Sequence, residues 1–275
     1  MSKTMEHFPE LNDLRLCRHG MMLYNRNDVF IGRSLAFYGE YSESEVELFQ
    51  QLLKPGNLVI EAGGNIGAHT VVFAKAVGRD GLVLVFEPQR IVFQTLCANL
   101  ALNNLTNVSA KQVALGQKVG TTKLPPLNYE DPENFGGISL GRQYDGEEVD
   151  IKTIDSLDLQ HCHLIKVDVE GMEKEVLGGA LNTIKRLRPF LYVENDRPEH
   201  SEALISLIQS LNYRLWWHFC PLYNPNNFDE NQENIFENLG SLNMLCIPAE
   251  IQTETALSEV RGPKDNPFNK IKITL

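Results

Sequence analysis

Along the stretch HLIKVDVEG, Lys166, Asp168 and Glu170 fall at every second position, so an extended chain sets all three on one side of the pleat. The residues between them are apolar, which marks the strand as buried, and buried charge is expensive unless it is paired or meets a ligand. For Lys166 and Glu170, a Lys–carboxylate network and a contact with substrate both stay open as readings. Asp168, at the carboxyl end of the strand, is expected to point into a site. The next strand, FLYVEN, closes on Glu194 and Asn195. YRLWWHF puts Trp216 and His218 on one face, and an imidazole titrates near neutrality. Asp168, Glu194 and His218 are therefore candidate catalytic groups for a reaction in which a weak nucleophile loses a proton as it attacks. His218 also has a structural reading, and Trp216 or Trp217 can either stack on a substrate or fill the core.

A second constellation lies upstream, where residues 59–70 read VIEAGGNIGAHT. Gly63, Gly64 and Gly67 let backbone approach a ligand, and the helix that follows offers free N–H groups at its N-terminus. One strand later, LVLVFEP ends in Glu87 and Pro88, where a carboxylate can accept both hydroxyls of a ribose. The loop is not the dinucleotide pattern G-x-G-x-x-G. It runs G-G-N-x-G behind Glu61, an acid that repels a pyrophosphate but can hold an ammonium. S-adenosylmethionine brings an ammonium, a ribose and an adenine without a phosphate, and is the expected ligand. The bland alternative is a glycine turn that only packs strand on helix.

Taken together, EAGGNIG, VFEP, VALG, IKVDVEGMEKEVLGGA and RPFLYVEN resemble the FkbM-type family of S-adenosylmethionine-dependent methyltransferases, over roughly residues 38–194. The family pattern is D-V-G-A-N-x-G, then F-E-P, then K-x-D-V-E-G-x-E-x-x-V-L-x-G-A, and its K-x-D-V-E-G block is the most specific part. Glu61 stands where the family has Asp, and Gly64 where it has Ala. The resemblance implies a class I methyltransferase fold: α/β, Rossmann-like and doubly wound, with a mostly parallel seven-stranded sheet whose last strand is antiparallel. It implies O-methylation of a sugar, polyketide or related metabolite. By position it implies that Glu61, Gly63, Asn65 and Gly67 line the amino-acid end of the cofactor, that Glu87 holds its ribose, and that Gln112, Val113 and Ala114 flank its adenine. Gly64, Thr70, Pro88 and Asp168 complete the expected cofactor-binding set. The strand ends VDVE and VEND also resemble the metal site of catechol O-methyltransferase, where an Asp meets an Asp–Asn pair. Asp168, Glu194 and Asn195 would then converge on magnesium, but the longer arm of Glu194 disfavours octahedral geometry about a small ion, so a metal-free base is favoured.

The elements that must position these groups follow from periodicity. From Leu58 onward, strands and helices alternate: LVIEA, a helix over 67–77, LVLVFEP, a helix with Phe93, Leu96 and Leu100 on one face, and VSAKQVAL. The rhythm breaks over 116–150, a Gly- and Pro-rich stretch expected to be a hairpin-like surface insertion. It resumes with HLIKVDVEG, a helix bearing Leu177, Ala180 and Ile184, FLYVEN, a helix bearing Leu204, Ile208 and Leu211, and two last strands, YRLWWHF and LNMLCIP. Residues 1–54 are expected to form an N-terminal extension or lid and 55–250 the methyltransferase domain. Within it, 220–241 is an amide- and aromatic-rich substrate loop. Residues 251–275 read as a polar C-terminal tail.

Composition narrows the partners of this 275-residue chain. A formal charge of −11 argues against holding nucleic acid by phosphate neutralisation. No apolar run approaches the roughly 18 residues of a membrane span, and a cytoplasmic protein acting on a small-molecule or glycan acceptor is expected. Five cysteines lie scattered without C-x-x-C spacing and read as reduced. His161, Cys162 and His163 are adjacent and cannot all face one ion on a strand. Two further readings remain: a non-catalytic S-adenosylmethionine-binding module, and an NAD(P)-dependent oxidoreductase, which the missing G-x-G-x-x-G disfavours.

Overall fold

The structure is a computed structural model that describes residues 10–138, 145–265 and 267. The chain opens with a hairpin, β1 (Asn12–Cys17) and β2 (Gly20–Asn25), followed by α1 (Ile31–Tyr38) and α2 (Glu43–Leu52). The alternating part then runs β3 (Leu58–Ala62), α3 (Ala68–Val77), β4 (Leu82–Phe86), α4 (Arg90–Leu102) and β5 (Val108–Lys111). Three short strands follow, β6 (Ala114–Leu115), β7 (Gly120–Lys123) and β8 (Glu148–Lys152). β9 (Leu164–Val167), α5 (Glu173–Gly178), α6 (Leu181–Leu187), β10 (Phe190–Glu194), α7 (Pro198–Ser210), β11 (Tyr213–Pro221), β12 (Gly240–Pro248) and β13 (Ser258–Glu259) complete it.

The main sheet has the order β13-β11-β12-β10-β9-β3-β4-β5. β5, β4, β3, β9 and β10 are parallel, while β12 inserts antiparallel between β10 and β11. This is the expected doubly wound sheet of seven strands with the last one antiparallel, plus a two-residue strand on one edge. Strand periodicity divides the core in two. Ile60, Ala62, Ile165, Val167, Leu191 and Val193 pack under α5, α6 and α7, and Val59, Val83, Val85, Leu164 and Tyr192 pack under α2, α3 and α4. Chain order reverses between β3 and β9, so the carboxyl ends of β3, β4, β9 and β10 open onto the switch point where doubly wound sheets take their ligands.

Several elements differ from their sequence reading. VSAKQVAL is not one strand: β5 stops at Lys111, and Ala114 and Leu115 leave for a separate sheet of order β6-β8-β7. The helix bearing Leu177, Ala180 and Ile184 is two short helices that break at Gly179 and Ala180, though all three side chains are fully buried. The C-terminal stretch is not simply a tail, because Ser258 and Glu259 pair with Trp217 and Trp216 and Val260 is buried. Residues 1–9 of the expected N-terminal extension, 139–144 of the expected insertion, and 266 and 268–275 of the expected polar tail lie outside the described residues.

Candidate active site

A cavity of about 800 Å³ opens at the switch point, within the range of about 300–1,000 Å³ common for small-molecule sites. On its β3 and β4 side stands the glycine loop. Gly63 (φ 82°) and Asn65 (φ 47°) are left-handed, and a Cβ on Gly63 would lie 1.8 Å from the Asp168 carbonyl oxygen. Gly63 is thus glycine so that the loops after β3 and β9 can touch. Gly64 and Gly67 face inward: a Cβ on Gly64 would strike Val85 and Leu96, and Gly67 (φ 88°) is the residue before α3. Gly63, Gly64 and Asn65 line the cavity; Gly67 does not.

Glu61 is fully buried, accepts a 2.6 Å hydrogen bond from the Thr70 hydroxyl, and leaves Oε1 without a partner. Thr70 therefore supports Glu61 and is not itself in the wall. Burial pushes the Glu61 pKa up to about 7 against the lowering charge of Lys166. Glu87 accepts from the Asn65 amide on Oε2 and the Gln89 amide on Oε1, both at 2.9 Å. Those two bonds fix the carboxylate between the glycine loop and the start of α4, and burial again raises its pKa to about 7. Each oxygen keeps a lone pair for a ligand hydroxyl.

A side cleft of about 50 Å³ continues past Glu87 and is lined by Pro88, Val113, Ala114, Gly136, Ile138 and Met172 among others. The expected adenine-flanking set is thus brought together in part. Val113 and Ala114 are there, but Gln112, beyond the end of β5, lines neither space.

The K-x-D-V-E-G block accounts for the centre. The Lys166 ammonium is buried 2.9 Å from Asp168, and burial alone would lower its pKa, but the charges of Asp168, Glu61 and Glu45 raise it. Burial would likewise raise the Asp168 pKa, and Lys166 outweighs it, so Asp168 is held ionised. Glu170 (φ 57°) pairs with Arg197 at 2.6 Å, and Glu173 accepts from the Gly171 amide at 2.9 Å, closing the turn after β9. Lys166 and Glu170 are each ion-paired, Glu170 with Arg197 rather than with a lysine, and both also line the cavity. Glu194 lines the cavity with Oε2 buried and unpartnered, and burial together with the neighbouring Asp168 charge pushes its pKa well up. Asn195 does not join them: it is buried and its amide points to the Met244 sulfur at 3.3 Å.

His218 is a correction. It packs behind the site, 2.9 Å from the Tyr192 hydroxyl and 3.4 Å from the Cys220 sulfur, and burial lowers its pKa. Trp216 and Trp217 fill the two halves of the core. None of the three lines the cavity.

The opposite wall comes from segments distant in sequence. Phe30, Ile31, Tyr41 and Glu45 of the N-terminal part share this wall with Leu222, Ile235 and Phe236 of the loop after β11 and Ser241 of β12. Buried Glu40 clasps the two, meeting Arg18 at 2.6 Å, Asn224 at 2.8 Å and the Phe228 amide at 2.8 Å. The 116–150 insertion also reaches the site, since Asn134, Gly136 and Gly137 line it and Gln89 donates to the Phe135 carbonyl at 2.7 Å. Sequence reading missed Tyr41, Glu45, His69 and Arg197. The only signal for Glu45 was its acid type in an amphipathic helix, which says nothing of a buried lysine more than a hundred residues away.

A family model described as the methyltransferase FkbM domain matches residues 61–215. Methyltransferase 1 of Beauveria bassiana (strain ARSEF 2860) is 30% identical over 145 residues, covering 45% of this chain and 58% of that protein. Methyltransferase sdnD of Sordaria araneosa is 30% identical over 159 residues, covering 46% and 61%. The chain therefore spans about three-fifths of the length of each. Among solved structures, methyltransferase FkbM from Methylobacillus flagellatus KT is similar with a TM-score of 0.45 and 17% identity, over 74% of this chain and 50% of that one.

Proposed function

This chain belongs to the methyltransferase FkbM domain family, and from that premise we propose that it transfers the methyl group of S-adenosylmethionine to a hydroxyl of a small metabolite or saccharide. The observation that carries the reading is the Glu87 carboxylate, oriented by two backbone amides beside the glycine loop. The site residues fit this cofactor. Glu87 would hold the ribose, Glu61 with its free oxygen suits the ammonium, and Pro88, Val113 and Ala114 offer an apolar cleft to the adenine.

When bound, S-adenosylmethionine supplies a methyl group already activated on a sulfonium. The chain has to orient the acceptor, take its proton and exclude water. Of the three candidate bases, His218 stands outside the cavity and burial raises the pKa of Glu194, whereas the Lys166 ammonium 2.9 Å away holds Asp168 ionised, which favours Asp168 as the acceptor of the hydroxyl proton. Carboxylates outnumber cations on the described wall, and both cations, Lys166 and Arg197, are paired. An anionic acceptor is disfavoured on that account, and a neutral polyol or phenol suits the mixed apolar and polar lining. An open cavity of this size beside the cofactor cleft favours an enzyme over a module that only binds S-adenosylmethionine.

The test is methyl transfer from labelled S-adenosylmethionine to alcohol, catechol and glycoside acceptors after exhaustive chelation, with and without added magnesium. Transfer that survives chelation is expected. Loss on chelation and recovery with magnesium would place an ion at Asp168 and Glu194.

A further inference from the structure

Tyr41 sits between α1 and α2, half-buried in the cavity wall. The hydroxyls of Tyr38, Tyr192 and Tyr213 all have protein partners, at 2.9, 2.9 and 2.8 Å. Among the described residues those of Tyr24, Tyr41 and Tyr129 have none, and of these three only Tyr41 lines the cavity. Its ring is fixed nonetheless, tilted against the buried His69 ring at 5.6 Å, which in turn meets Phe49 edge-on at 5.4 Å. The backbone is fixed as well. Next to it, Ser42 and Ser241 both donate to Glu45, at 2.7 and 3.1 Å, and Glu40 anchors the preceding turn.

Ser241 opens β12, four strand positions from β4 and its Glu87, a separation of about 19 Å at roughly 4.8 Å per strand. The Tyr41 ring spans that gap: it packs against the cluster of Ile66 and Val71 beside the glycine loop and against that of Leu222 and Phe236 after β11, where the two sides of the cavity meet. Burial, then the charges of Glu45, Asp168 and Glu194, push the Tyr41 pKa well up, so the hydroxyl keeps its proton. A fixed ring in the same cavity wall as Asp168 thus carries a hydroxyl donor that no described residue uses.

Resting on the transferase reading above, we propose that the Tyr41 hydroxyl binds the acceptor hydroxyl directly, which makes the segment between α1 and α2 part of the acceptor site. An alcohol oxygen has one proton and two lone pairs. It gives the proton to Asp168, accepts the Tyr41 O–H on one pair, and attacks the methyl carbon with the other. The O–C bond forms as the C–S bond breaks, its electron pair staying on sulfur, and the acceptor proton ends on Asp168. Tyr41 lies outside residues 61–215, so it would help give this chain its own acceptor preference on a shared cofactor core.

The test compares wild type with Tyr41→Phe, which keeps the ring against His69. Simple alcohols, catechols and methyl glycosides are screened with methyl-labelled S-adenosylmethionine, and the best wild-type acceptor becomes the probe. S-adenosylmethionine affinity by calorimetry and the melting temperature should stay the same within error. The kcat/KM for the probe should fall about five- to tenfold, the worth of one neutral hydrogen bond, with most of the loss in KM. A variant that loses cofactor affinity while the probe KM holds puts Tyr41 in the cofactor cleft and overturns the inference; unchanged kinetics overturns it too. Wild type that binds S-adenosylmethionine but methylates none of the panel overturns the transferase reading, and this inference with it, before any variant is made.

Discussion

Glu87 shows how much a single carboxyl can govern here. It is 4% exposed, accepts two backbone amides, and has its pKa pushed up to about 7 by burial. A carboxyl whose folded pKa is raised stabilises the fold below its unfolded value, and that contribution is lost as pH rises through the folded value. The ligand-free protein should therefore lose stability between about pH 4.5 and pH 7, and Glu87→Gln should flatten that loss by on the order of 1–3 kcal/mol, read from melting curves across the range. Cofactor affinity should run the other way, since ribose hydroxyls need the ionised acceptor, and should weaken as pH falls from 8 to 6. Glu87→Ala should cost about 1–3 kcal/mol of cofactor binding at pH 8; unchanged affinity in a folded variant would remove this residue from the site. The cavity-rim positions of Glu61, Glu87 and Asp168 were legible in sequence because Glu61 sits at the end of an apolar strand and the other two directly follow one, and strand ends in a doubly wound sheet share one rim. His218 misled because β11 runs on past it to Pro221 and turns its ring onto Tyr192.

At the level of elements, the site is built from loops that depend on one another. Gly63→Ala would force a side chain into the Asp168 carbonyl from a left-handed backbone, and should destabilise the fold by about 2 kcal/mol or more and weaken cofactor binding. Thermal melting and calorimetry check both effects together. Shortening the loop 222–239 should abolish methyl transfer while leaving cofactor affinity nearly intact, because that loop lines the wall opposite Glu87. A collapse of cofactor affinity would make it a cover for the cofactor instead. Strands and helices of the alternating part were legible because their periods are regular. The role of 116–150 was not: its Gly and Pro content signals turns but not that residues 134–137 would fold back over Asn65 and Gln89.

Across the whole molecule, the family-matched residues 61–215 build the cavity wall around the glycine loop, Glu87 and Asp168, and what flanks them builds much of the rest. The clasp of Glu40 on Arg18, Asn224 and Phe228 joins segments nearly two hundred residues apart, a pairing no local pattern announces. No helix among the described residues is long and apolar enough to cross a membrane. The fold class was legible from alternation, whereas the cavity wall joining the N-terminal part to the loop after β11 depends on long-range packing that a single sequence does not encode visibly. The most direct measurement of the central claim is isothermal calorimetry of the purified chain with S-adenosylmethionine and, in parallel, with NAD. Saturable binding of S-adenosylmethionine, weakened about five- to a hundredfold by Glu87→Ala, with no heat from NAD, is the expected result. Binding of NAD without S-adenosylmethionine would contradict the claim outright.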